Sequence, residues 1–251
     1  QTMQHNLDER TSPFSLSALS QTLQDAVLLT RSLGIRYIWI DAICIVQDDR
    51  AEWMVEAQKM MQYYGDAQVT IVPAHADSAD SGMKTEREVP FSRRFTGPWN
   101  NDSGRDLILT NTAFKTRDAV SKWAWNQRGW TYQERLNSAR LLFVFSHSLM
   151  LNCRQGSWNS LTGWDHQPRE AWSTFLPLRS PGKTQSRLDR DANTWCSLVG
   201  NYTQRQLTSR RDKWFAFSSI AEAFSRASGR RTVAGLLEDR LLEDLASWRS
   251  P

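Results

Sequence analysis

The sequence predicts an α/β protein: a parallel sheet flanked by helices, with a long insertion and extra helices towards its C-terminal end. Three observations point there. Apolar residues recur at helical spacing through residues 16–34 and again through 48–67. Each stretch is followed by a run rich in β-branched and aromatic residues, IRYIWIDAICIV and QVTIVPA, almost continuously apolar as a strand buried on both faces would be. Helix, buried strand, helix, buried strand with short connections is the pattern of parallel pairing.

Taken in order, residues 1–15 are polar and read as loop. In SLSALSQTLQDAVLLTRSLG, Leu19, Leu23 and Val27 fall on one helical stripe, Ser17 or Ser20 supplies the N-cap, and Gly34 is the stop. IRYIWIDAICIV is the first buried strand. DDRAEWMVEAQKMMQYYGDA is the second helix, its inner stripe formed by Trp53, Met54, Ala57, Met60, Met61 and Tyr64. QVTIVPA is the second strand. Residues 75–106, dense in Ser, Asp, Gly, Pro and Arg, read as a long loop, and LILT as a short strand. AVSKWAWNQRGWTYQERLNS suits one or two short helices, and ARLLFVFSHSLMLNC a strand or hairpin. After a second loop-like stretch, 154–190, come DANTWCSLVGNYTQRQLT, DKWFAFSSIAEAFSRASG and LLEDRLLEDLASW, three more amphipathic helices. The chain therefore divides into an α/β core, residues 1–150, and a C-terminal helical extension, residues 151–251, packed on it.

Composition excludes several classes. With 251 residues, 40% hydrophobic and 23% charged, the chain is ordinary globular protein. A net charge of +4, scattered rather than striped, does not favour nucleic acid. Cys44, Cys153 and Cys196 are odd in number and widely spaced, which argues against a disulfide framework or zinc site and for a reducing, cytoplasmic setting. The four histidines form no ligand pair, so no metal is expected. No apolar run approaches the roughly 18 residues that span a bilayer. Walker and GxGxxG motifs are missing too, so no cofactor is implied. The chain begins at Gln1 and is expected to be a fragment lacking its true start.

Two constellations carry chemistry. WIDAICIVQDD sets Asp41 at the end of an expected parallel strand, the place where open α/β sheets bind ligands. Asp41 can equally tie down a neighbouring loop. RGWTYQERL packs Arg128, Trp130, Gln133 and Glu134 just ahead of the apolar run LLFVF. On a helix Trp130 and Glu134 are neighbours one turn apart, offering a stacking surface beside an acceptor, as a ribose or base requires. The same residues also suit a structural network, with Trp130 in the core and Glu134 paired to Arg128 or Arg140. The residues alone leave both open.

LGIRYIWIDAICIVQDD, then RGWTYQERLNSARLLFVF, then WCSLVGNYTQRQLTSRRDKWFAFSSIAEAF resemble, in order and spacing, successive blocks of the fungal HET (heterokaryon incompatibility) domain. The chain has Val46 where many members have Asn, and Tyr132 where they have Leu; the family's opening LSYxWG strand is not seen. The resemblance implies a part in non-self recognition and programmed cell death, an innate-immunity role. It implies a fold related to the TIR domain, TIR-like or flavodoxin-like, with the first strand missing. Enzymatic TIR domains cleave NAD at the nicotinamide–ribose bond with a glutamate four residues after a tryptophan, and Trp130 and Glu134 match that spacing. Glu134 is then the catalytic residue of an NAD hydrolase. Arg128 holds a phosphate or positions Glu134, Trp130 walls the pocket, and Asp41 and Gln133 are further substrate-binding candidates. NAD is the substrate, not a cofactor. Other partners implied are a second copy, through self-association, or a fused sensor or repeat module. The alternative is a non-enzymatic TIR-like signalling module that triggers death by self-association.

Overall fold

The computed structural model describes residues 1–76, 78–83, 124–146, 148–153, 155–160, 163–165 and 185–247, with backbone alone at 92–95, 107–110, 164–165 and 185–187. Most of the loop-like stretches 75–106 and 154–190, and residues 119–123 of the AVSKWAWNQRGW segment, lie outside them.

The N-terminal residues are more ordered than their polarity suggests, with a short helix α1 (Leu7–Thr11). Thr2 is buried, and it is tied to the 41–47 turn. Its amide donates to the Ala42 carbonyl at 2.9 Å, and its hydroxyl to the Ile43 carbonyl at 2.7 Å. Helix α2 (Gln21–Ser32) ends at Gly34, whose φ of 71° is the left-handed conformation that glycine adopts without strain.

The expected first strand is not one. Ile40 is extended, with φ −134° and ψ 118°, but residues 35–40 join no ladder among the described residues, and Asp41–Cys44 close into a single helical turn, α3. Apolar content cannot make a strand without a partner backbone to take its hydrogen bonds. Trp39 instead turns onto the next helix, stacking on Tyr63 at 4.9 Å and meeting Tyr64 edge-on at 5.8 Å. That helix, α4 (Arg50–Asp66), starts where the Asp49 carboxylate accepts from the amides of Ala51 and Glu52. Ala57 and Met60 of the expected stripe are buried, while Met54 is exposed.

The main sheet has five strands in the order β1 (Thr70–Pro73), β4 (Arg140–Val144), β5 (Leu149–Cys153), β6 (Gly156–Asn159), β7 (Gly163–Asp165). Strands β2 (Ser92–Phe95) and β3 (Leu107–Thr110) form a separate antiparallel hairpin; β2 lies inside the expected long loop. In place of a parallel sheet the architecture is mixed α/β. Only β1 and β4 pair in parallel; the other pairs are antiparallel. The cause is loop length, because connections of a few residues can only return a chain as a hairpin. The sheet also runs on to Asp165, so the expected division after residue 150 falls inside β5.

Between the parallel strands lie α5 (Ala124–Gln127) and α6 (Trp130–Asn137); beyond the sheet come α7 (Gln185–Thr203), α8 (Phe215–Ser228) and α9 (Leu241–Ser247). Two cores result. Val72, Leu141, Phe143 and Met150 pack on the sheet. Trp195, Leu198, Tyr202, Phe217, Ile220 and Phe224 of α7 and α8 close over Tyr132 and Leu136. Helix α6 belongs to both halves, with the sheet at one end and the helical layer along one side.

Candidate functional site

The RGWTYQERL segment forms a tight turn followed by α6. Thr131, fully buried, donates its hydroxyl towards the carbonyls of Trp125 and Arg128 at 2.6 and 2.7 Å, closing the turn. At the other end, buried Ser138 donates to the Glu134 carbonyl at 2.6 Å and meets the Thr70 hydroxyl at 2.7 Å, pinning the helix to β1. Gly129 has an ordinary helical φ of −62°, so space rather than conformation demands a glycine there. A Cβ at that position would come within 2.5 Å of the Leu207 side chain.

This frame presents Glu134 to an enclosed cluster. The Trp125 indole N–H donates to Oε2 at 3.2 Å, and the Tyr64 hydroxyl lies close enough to the same carboxyl to act on its proton. Trp125 is itself held by an edge-on contact with Phe143 of β4 at 5.9 Å. Glu134 as a whole residue keeps some exposure, but its carboxyl is closely surrounded, and the carboxyl's environment governs the proton. Burial is the largest influence and the Asp41 charge the next; both push the Glu134 pKa up. Arg128, the Trp125 indole and the Tyr64 hydroxyl pull the other way, leaving it at about 7. Tyr64 is pushed well above the usual phenol range, first by burial, then by Glu134 and Asp41. Two carboxylates, an arginine, a phenol and an indole therefore share one electrostatic neighbourhood.

The structure thus brings together three of the five expected residues. Asp41 and Arg128 are exposed at the rim and act on Glu134 by charge. Asp41 also accepts from the amide of the adjacent Ala42 at 2.7 Å, within its own turn at the start of α3. Trp130 stands edge-on to Trp53 at 5.5 Å and packs on the helical core. Gln133, expected at the pocket, is fully buried elsewhere. Its carbonyl accepts from Ser219 at 2.7 Å and its amide points to the Met60 sulfur at 3.5 Å, so it ties α4, α6 and α8 together. Successive helical residues differ by about 100° in direction, which is why neighbours 133 and 134 have such different surroundings.

Tyr64 and Trp125 were missed as site residues. Tyr64 had been absorbed into an apolar stripe, although a hydroxyl on such a stripe must find a partner. Trp125 lies beyond the one-turn spacing that directed attention to Trp130.

A separate cavity of about 250 Å³ lies among Leu188, Asp191, Arg230, Arg231, Glu238 and Asp239. Both of its arginines are paired, Arg230 with Asp239 at 2.7 Å and Arg231 with Glu238 at 3.1 Å. Among the described residues no cluster of His, Cys, Asp or Glu could hold a metal ion, and no helix is long and apolar enough to cross a membrane.

Neither curated proteins nor solved structures gave a match. The family model "Heterokaryon incompatibility protein (HET)" matches residues 1–134, more than half of the chain, ending on Glu134 itself. The chain belongs to the heterokaryon incompatibility (HET) family, and its function is related to heterokaryon incompatibility.

Proposed function

We propose that the domain hydrolyses NAD at the nicotinamide–ribose bond, with Glu134 as the catalytic carboxylate. One observation carries the reading: a glutamate enclosed by an indole and a phenol, beside a second carboxylate, with its proton poised at about 7. An enclosed anion meets the need of this reaction. As the bond from C1′ to the pyridinium nitrogen breaks, its electron pair returns to the ring, nicotinamide leaves neutral, and positive charge grows on the ribose. The Glu134 carboxylate accepts hydrogen bonds from the ribose hydroxyls and stabilises that charge. Water then bonds to C1′ and its proton passes through Glu134 to solvent, giving ADP-ribose. Arg128, which is exposed, supplies a cation for the pyrophosphate in this reading. Asp41 adds negative potential for the cationic ring.

Purified protein incubated with NAD is expected to release nicotinamide, and Glu134→Gln to lower kcat by about 10²–10³. Because the ionised carboxylate is the active form, kcat/KM rises with pH through about 7 and then levels. No release even from concentrated, self-associated protein would sink the enzyme reading and favour a non-enzymatic signalling module. Release unchanged in Glu134→Gln would remove Glu134 from the mechanism.

A further inference from the structure

We propose that Arg205, in the C-terminal helical region, is a positioning residue for Glu134: it clasps the 126–131 turn and so sets where Trp125 and Glu134 meet. The inference rests on the reading of Glu134 as the reacting group. It extends the site past the family-matching region, which ends at residue 134.

Arg205 follows α7 and folds back over the turn. One guanidinium nitrogen donates to the Asn126 carbonyl and lies 3.4 Å from both the Arg128 carbonyl and the Thr131 hydroxyl. The other donates to the Asn126 side chain at 3.1 Å. The guanidinium plane covers the Tyr132 ring at 4.5 Å. Backbone contacts extend the grip, with the Gly129 amide donating to the Gln206 carbonyl and the Gln206 amide to the Gln127 carbonyl, both at 2.7 Å. Trp125 stands at one end of this turn and Glu134 follows it on α6, so their 3.2 Å hydrogen bond depends on the shape of what lies between.

Arg205 is a costly residue to place here for packing alone. Its Nε is buried with no hydrogen-bond partner. No ion pair to a carboxylate holds it among the described residues. Burial, then the neighbouring Arg135, pull its pKa down to about 10, while the Tyr132 and Glu134 charges oppose that. A half-buried cation with a buried, unpartnered Nε and no ion pair is retained where its donors do something an apolar residue cannot. Here they reach backbone carbonyls of the turn that the Thr131 hydroxyl closes from within.

The test uses the full chain with Arg205→Lys and Arg205→Ala, and reads the Glu134 titration by carboxyl ¹³C NMR, assigned with Glu134→Gln. Loosening the turn parts the Trp125 indole from Glu134 and removes a donor that favours the ionised carboxyl. Its midpoint is expected to rise from near 7 by about one unit or more. The acid limb of the kcat/KM profile should move up with it. Lysine is not expected to rescue, since one ammonium cannot serve the Asn126 carbonyl and amide while stacking on Tyr132. If Arg205→Ala does not fold, Arg205→Lys decides the matter alone. A folded Arg205→Lys protein in which Glu134 titrates as in the parent would overturn the proposal. The titration needs no turnover, so parent protein that releases no nicotinamide counts against NAD cleavage while Arg205 is still judged by the midpoint.

Discussion

Two groups of buried or half-buried charge among the described residues are built on opposite lines. At the hairpin between β8 (Thr232–Val233) and β9 (Leu236–Leu237), buried Arg230 meets Asp239 through two hydrogen bonds, at 2.7 and 3.0 Å. A third goes to the Leu188 carbonyl at 2.8 Å. Donors match acceptors and opposite charges face each other. At α6, by contrast, Glu134 is enclosed near Asp41, a charge of its own sign, with burial pushing the same way. The first arrangement lowers the energy of the folded chain. The second raises it whenever the carboxyl is ionised, which is the arrangement the proposed reaction calls for.

Removing a member of each group should separate them. The largest stability effect is expected for Arg230→Ala. Loss of three hydrogen bonds from a buried guanidinium should lower unfolding free energy by about 2–3 kcal/mol in denaturant titrations, leaving the Glu134 titration unmoved. Glu134→Gln should act in the reverse direction. Its folded pKa of about 7 lies above the ordinary carboxylate value of 4.5, so the folded state holds the proton more tightly than the unfolded chain. That contribution is fully present below about 4.5 and is lost as pH rises through 7. The glutamine variant should therefore be more stable than the parent at pH 8, by ~2 kcal/mol, and equal to it near pH 4, as read by chemical melts at the two pH values. A parent as stable as the variant at pH 8 would mean the carboxylate is not strained. Smallest is Trp125→Phe, which deletes one donor to Oε2. The pKa should move further up, carrying the acid limb of kcat/KM to higher pH with about a tenfold loss at neutrality.

Much of this was legible in the chain, and the failures have physical causes. The helices at 50–66 and 215–228, and the hairpin of LLFVF with LMLNC, follow from periodicity and length. The strand expected at IRYIWIDAICIV failed because pairing is a property of two segments, and apolarity reports only one. At the site, the Trp130-to-Glu134 spacing pointed to a glutamate whose surroundings it does not describe. Trp130 turns to Trp53, and the indole that reaches Glu134 is Trp125, nine positions away across a turn. Gln133 and Glu134 are equally polar letters, yet one sits among Met60 and Ser219 and the other beside Tyr64. Only the packing of α6 between α4 and α8 decides between them. Arg205 could not have been found from a single chain, since nothing at QRQL hints at what it covers.

The contact between Gly129 and Leu207 bears on how such a sequence can drift. An added methyl at 129 has nowhere to go while Leu207 stands 2.5 Å from its place, and the glycine's backbone angles raise no objection of their own. The two positions are therefore linked as substitutions: Gly129→Ala is damaging alone and tolerated once Leu207 is trimmed to Ala. A motif that reads as a local word is spelled in part by a residue far along the chain, and RGWTYQE moved onto another scaffold would need that distant surface moved with it.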